Sequence, residues 1–317
     1  MRRKSTKGAH RAPSSIERRD LYQEVTDKIV AALEKGVAPW VRPWRKLGAQ
    51  GDLRNAATDR PYSGVNVMLL SLAMDVGGYD DPRWLTFRQT LKLGGSVRKG
   101  EKGTLVVLWK PIEVCAANAD GKKRTKTVPV LRHYTVFNVR QCDGLDLPPN
   151  GFDLLPEPQR DKTCEAFLKS TGADIRHGGS EALYRRRPHE YVQLPQPKAF
   201  ADMGAYYATA FHELVHWTGD EARCARTFGK RFGDDAYALE ELVAEIGSAF
   251  CCRRFQVDGT LRHPEYLHSW LTVLKSDRHA ITRAASMARK ACEHLAALTD
   301  LDHCTDSADP QSAGPDI

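Results

Sequence analysis

No apolar run in the sequence approaches the roughly 20 residues that a membrane-spanning helix requires, so no such helix is expected. The opening Met-Arg-Arg-Lys-Ser-Thr-Lys has charge but no apolar segment behind it, which argues against a secretory signal. Cysteine pairs are also missing. Eight cysteines are scattered singly except for adjacent Cys251 and Cys252, and without a C-x-x-C pair neither a zinc knuckle nor a dithiol redox motif is expected. Reduced, buried thiols in a cytoplasmic protein are the simplest reading. A phosphate loop of the Walker type is absent too, because no G-K-[ST] closes the glycine-rich run Gly94–Gly103 and a strand pattern follows it. No acidic nucleotidyl-transfer motif stands out.

What the chain does have is length and an uneven charge. With 317 residues, 41% of them hydrophobic and 27% charged, it can bury a sizeable core and has room for two domains. Residues 1–145 carry 27 lysines and arginines against 14 acids, while the remainder carries 20 against 26. A basic front half is the expected footprint of a nucleic-acid partner.

Residues 1–17 are basic, contain Ser, Pro and Gly, and show no apolar periodicity, so they read as a disordered arm. Leu21, Val25, Ile29, Ala32 and Leu33 then recur at helical spacing until Gly36 and Pro39 stop the pattern. Next, Trp40 and Trp44 are interleaved with Arg42, Arg45 and Lys46, a combination that suits stacking on single-stranded bases and tracking of their phosphates. Helices are expected over about 65–76 and 86–93. The turn that follows offers Arg98, Lys99 and Lys102 to phosphate and leads into a strand at 104–111, with a second strand at 133–139 beyond a charged loop. Helices packed on a small antiparallel sheet make an α+β domain over 18–145. Prolines punctuate a linker at 146–160. Residues 161–299 read as mainly helical with a strand-turn-strand segment near 182–195, and 300–317 as a disordered tail.

The chemistry concentrates in Tyr206–Trp217, where His212, Glu213 and His216 form an H-E-x-x-H pattern on a segment that reads as helix. Histidines four apart project from one helical face and can share one metal ion. Zinc suits two neutral imidazoles, and with a third protein ligand it keeps a fourth position for water. Glu213, beside the first histidine, stands where a general base would take that water's proton. The third ligand is sought in Tyr237–Phe250, which sets Glu241 and Glu245 one turn apart among apolar neighbours. Glu241 is the preferred ligand, with Glu245 orienting a histidine through its second ring nitrogen. Spacing alone also permits the reverse.

An H-E-x-x-H helix followed by such a glutamate resembles the gluzincin metallopeptidases. The longer string Phe211-His-Glu-Leu-Val-His-Trp-Thr-Gly219, Arg231-Phe-Gly233, Tyr237-Ala-Leu-Glu-Glu-Leu-Val-Ala-Glu245 and Trp270-Leu-Thr-Val-Leu-Lys275 resembles the carboxy-terminal domain of ArdC-type antirestriction proteins and related TraC-like primases. In the front half, Arg60-Pro-Tyr-Ser-Gly-Val-Asn66, the glycine-rich turn with Thr104, and Tyr134-Thr-Val-Phe-Asn-Val139 resemble that family's single-stranded-DNA-binding domain. The resemblance covers about residues 18–298. It implies an α+β DNA-binding domain followed by a mainly helical zincin-like metallopeptidase domain with a short antiparallel sheet. It further implies zinc on His212, His216 and Glu241, with Glu213 as base, and protection of incoming plasmid or mobile-element DNA during conjugation. A peptide or protein substrate is implied by the zincin likeness alone. The competing expectation is a replication or primase accessory protein in which the metal is purely structural. Tyr266 and His268 are the sequence's candidates for stabilising a developing oxyanion.

Overall fold

The computed structural model describes residues 19–40, 52–117, 123–148, 157–228, 235–258 and 266–298. The basic arm, the C-terminal tail, much of the linker, and the candidate DNA contacts Arg42, Trp44, Arg45 and Lys46 lie outside those residues.

The first helix, α1 (Leu21–Leu33), starts at Asp20, whose carboxylate accepts from the backbone N–H of Tyr22 and Gln23. That cap satisfies donors which the first turn leaves without intrahelical partners. Then follow β1 (Arg54–Asn55), α2 (Val65–Gly77), β2 (Arg83–Thr86), α3 (Phe87–Lys92), β3 (Ser96–Val97), β4 (Thr104–Ala117), β5 (Lys123–Asn138) and β6 (Cys142–Asp143). The principal sheet runs β1-β2-β5-β4, with β1 and β2 parallel and the remaining pairs antiparallel. Its longest pair is a hairpin arm whose register runs from Thr104 opposite Val136 out to Ala117 opposite Lys123. A small satellite core of Leu53, Leu70, Met74, Trp84, Val106 and Val136 lies between this sheet and α2.

The second half comprises α4 (Glu157–Ser170), β7 (Ile175–His177), β8 (Leu183–Arg185), β9 (Tyr191–Leu194), α5 (Met203–Thr218), α6 (Asp235–Arg254), α7 (Leu267–Ser276) and α8 (Ala280–Ala297). Its sheet is mixed, in the order β7-β9-β8, and corrects the expectation of an antiparallel one. Only β8 and β9 are antiparallel; the turn at 178–182 carries the chain from β7 to β8 on the far side of β9, and β7 lies parallel to β9. Helix α5 is buried on all sides, consistent with its apolar run. It packs on α6 through Gly247, where an added Cβ would lie 2.7 Å from a Val215 methyl. Alanines 284, 288 and 291 together with Leu295 form the fully buried stripe of α8, whereas Leu298 at its end is exposed.

The two halves share one core. Val25, Ile29, Leu33 and Trp40 join the same apolar cluster as Phe211, Leu214, Leu242, Val243 and Trp270. Helix α1 lies against α7, and the Trp40 ring meets Trp270 edge-on at 5.8 Å between centroids. Polar links reinforce the contact: the Thr26 hydroxyl donates to the Arg278 carbonyl at 2.8 Å, and Arg253 donates to Asp52 at 2.8 Å. No helix among the described residues is long and apolar enough to cross a membrane.

Candidate metal centre

Helix α5 presents His212 and His216 on the face that meets α6, and α6 presents three carboxylates in return. The Nε2 atoms of the two histidines lie 3.2 Å apart. Glu241 places its oxygens 3.5 Å from His212 Nε2 and 3.6 Å from His216 Nε2. A tetrahedral ion with ligands at 2.0–2.1 Å holds its donors about 3.3 Å from one another, so these three side chains are set for one divalent metal. All three are buried.

The remaining ring nitrogens are also served. Glu245 approaches His212 Nδ1 at 3.5 Å, and Glu240 meets His216 Nδ1 at 3.1 Å. Carboxylates on the outer nitrogens fix the tautomer that leaves Nε2 facing the metal. Glu240 is itself clamped by Arg226, which donates to it at 2.9 and 2.8 Å and also to the Thr218 hydroxyl and the Val215 carbonyl. Burial alone would raise the Glu240 carboxyl, but its bonds from His216 and Arg226 outweigh that and hold it below the usual range. Neither Glu240 nor Arg226 was legible from the motif. Glu240 is hidden in the Glu240-Glu241 doublet, and Arg226 sits in the irregular segment after α5, where no periodicity marks it.

Without metal the histidines are proton sinks. Burial pushes His212 down, yet its bonds to Glu241 and Glu245 win and set it at about 10. His216 reaches about 9 through Glu240 and Glu241 against the same burial. Glu241 is driven the other way, far below the carboxylate range, since both imidazoles outweigh its desolvation.

The donors open onto a cleft of about 660 Å³ that Glu213, Thr209, Tyr184, Phe228, Tyr237 and Tyr266 also line. Tyr237 and Tyr266 join their hydroxyls at 3.2 Å. Burial and the Tyr266 bond push the Tyr237 phenol well above its ordinary value, so it stays protonated. His268 is exposed and absent from the cleft wall.

The front-half candidates fare differently. Trp40 is 4% exposed, and an indole packed in the core has no face for a base, so its reading as a DNA contact is corrected. Its partner Trp270 is remote in sequence, which is why the local pattern misled. Arg98 is exposed but engaged, binding Glu101 at 2.9 Å and Asp143 at 3.4 Å, and it braces the turn. Lys99 and Lys102 are exposed beside it, and Gly100, at φ 91°, makes the turn that presents them. The exposed large aromatics of this half among the described residues are Phe87 and Trp109.

Residues 19–137 match the N-terminal domain of the anti-restriction factor ArdC, and residues 162–287 match a zincin-like metallopeptidase domain. The metal-free crystal structure of the antirestriction protein ArdC from plasmid R388 is similar at 39% identity, a TM-score of 0.73, and coverage of 88% of this chain and 97% of that one. The Mn(II)-bound structure of that protein is similar at 38% identity and a TM-score of 0.71, covering 88% and 98%. Among curated proteins, the uncharacterized protein y4eC of Sinorhizobium fredii is 40% identical over 283 residues, 87% of this chain and 91% of that protein. DNA primase TraC of Escherichia coli is 34% identical over 296 residues, which span 86% of this chain but 27% of the primase. Fold and site thus define an α+β protein whose helical half is a zincin-like domain built for a divalent metal. The chain belongs to the ArdC family of antirestriction proteins.

Proposed function

We propose that the chain protects incoming mobile-element DNA by binding single strands through its basic front half, and that its metal centre is hydrolytic. Zinc is the metal of this reading, held by His212, His216 and Glu241. The observation that carries it is the convergence of three donors, the three found among the described residues, from α5 and α6 at the wall of an open cleft that also holds Glu213. A structural zinc is enclosed by four protein ligands, whereas a catalytic one keeps a position free.

When bound, the ion would supply Lewis acidity, polarising a carbonyl and acidifying a water. Glu213 would take a proton from a water in the cleft and return it to the leaving amine of a peptide. Tyr237 and Tyr266, hydroxyls on the same wall, are the donors best suited to a developing oxyanion. Glu240 and Glu245 act through the imidazoles, holding them in register.

On the front half, Lys99 and Lys102 supply phosphate contacts, while Phe87, 51% exposed, and Trp109, 46% exposed, offer faces for bases. A Glu213→Gln variant tests the reading as a whole. It should keep metal content and single-strand affinity while losing peptidase turnover by about two to four orders of magnitude and losing protection of incoming DNA in a cell-based assay. Full protection by a metal-loaded Glu213→Gln protein would assign the function to DNA occupancy and leave the metal a structural part.

A further inference from the structure

We propose that Cys251 and Cys292 are a reversible disulfide site that staples α6 to α8 behind the metal centre. Their sulfurs lie 3.4 Å apart, and both residues are free thiols here. A disulfide holds its sulfurs at about 2.0 Å, so each atom need move only about 0.7 Å. Small χ1 rotations on two helices already in contact provide that movement.

The geometry selects this pair. Cys252 follows Cys251 in sequence but sits about 100° further round the helix, with its sulfur 4.0 Å from the Ser248 hydroxyl. Cys251 and Cys292 line a second cleft of about 330 Å³, together with Arg253, Arg254 and Arg289. Cys251 is 2% exposed and Cys292 is half-buried, so a small solute entering the cleft meets Cys292 first. The bond to Cys292 and burial raise the Cys251 thiol, so Cys251 is the slower of the two to attack peroxide and the first step falls to Cys292.

Hydrogen peroxide is the oxidant. The Cys292 sulfur attacks one peroxide oxygen, the O–O bond breaks, and the products are a Cys292 sulfenic acid and water. The Cys251 sulfur then attacks the Cys292 sulfur; the S–O bond breaks and a second water leaves with the thiol proton. Two thiols have lost two hydrogens and peroxide has become two waters. A dithiol reductant reverses the bond by exchange.

The bond would lie on the helix that bears Glu240, Glu241 and Glu245. Cys292 now donates to the Gly247 carbonyl at 3.3 Å, beside the α5–α6 contact. Replacing that contact by a covalent link across 41 residues of chain restricts the unfolded state and holds α6 in place.

The test uses the full-length, metal-loaded protein treated with a small excess of hydrogen peroxide, then alkylated, digested and mapped by mass spectrometry. The expected result is a linked peptide pair containing Cys251 and Cys292, an intact mass lower by two hydrogens, and a Tm higher by several degrees until dithiothreitol is added. Cys252→Ser should leave the link intact and identifies the α6 partner within its peptide. Cys292→Ser should abolish the link; if that variant does not fold, the peptide map of the Cys252→Ser protein decides alone. Sulfinic or sulfonic acid at Cys292 with no link, or a link from either sulfur to another cysteine, would overturn the proposal. A link that leaves Tm unchanged would overturn its role as a staple.

Discussion

Glu241 and Glu245 stand one turn apart on α6 yet meet different nitrogens, so they should fail differently. Glu241 faces the Nε2 atoms of both histidines, and Glu241→Ala should lose the metal. Glu245 meets His212 Nδ1, and Glu245→Ala should weaken affinity by roughly 10–100-fold while leaving a loadable site. Metal titration of both variants checks this, and the opposite order of severity would exchange their roles. Protons compete at the same atoms. His212 and His216 sit at about 10 and about 9 without metal, above the ordinary 6.5, so the folded state binds these protons more tightly than the unfolded chain does. Their contribution to metal-free stability is complete below pH 6.5 and is lost as pH rises towards 9–10. A metal needs both imidazoles neutral, so its affinity should climb over that interval. Thermal melts between pH 6 and pH 10 should therefore diverge. Tm should fall with pH in chelator, and the increment from added metal should grow; parallel curves would contradict the protonated pair.

Helices α5 and α6 meet through Gly247, and that contact decides a substitution whose sign is otherwise ambiguous. Alanine improves helix propensity by about 1 kcal/mol over glycine. Here its Cβ would stand 2.7 Å from a fully buried, stiff Val215 methyl, and overpacking costs about 1–3 kcal/mol. Gly247→Ala should therefore lower both Tm and metal affinity, because the helices that separate are those bearing the ligands; a higher Tm would show that the interface yields. Both helices were legible in the sequence, since their apolar and small residues surround the motif at helical spacing. The hairpin arm was only half legible. Its outer positions carry Lys123, Arg124 and Lys126, which read as loop, yet the ladder continues through them because backbone pairing does not depend on side-chain polarity. The carboxylate on His216 and its arginine clamp were not legible, since each depends on a tertiary contact that no local period encodes. Trp40 was misread for the same reason: the cationic, proline-flanked segment looked like surface until Trp270 covered the ring.

Across the whole molecule, the sequence reading of a separate front domain meets a continuous core. Burying Val25, Ile29 and Leu33 contributes roughly 5–9 kcal/mol at 1.5–3 kcal/mol for each side chain, comparable with the 5–15 kcal/mol total stability of an ordinary domain. A fragment of residues 1–145 loses the α7 face and Trp270, so circular dichroism should show no cooperative melt for it, while the full chain unfolds in one transition. A stable, cooperatively melting fragment would show that the front half folds on its own. In the full chain, Lys99→Ala with Lys102→Ala should flatten the salt dependence of single-strand binding by about 1.4 in log–log slope, at about 0.7 per lost phosphate contact. An unchanged slope would move the DNA interface elsewhere. The shared core also makes every ligand a ligand of the whole molecule. A metal present at one hundred times its Kd stabilises the folded state by about 2.7 kcal/mol, and that gain extends to α1 and the segment beneath Trp40 as much as to the histidines it touches. Metal-starved protein would expose its front half to proteases about a hundredfold more often, so supply of the ion would govern how long the whole chain survives.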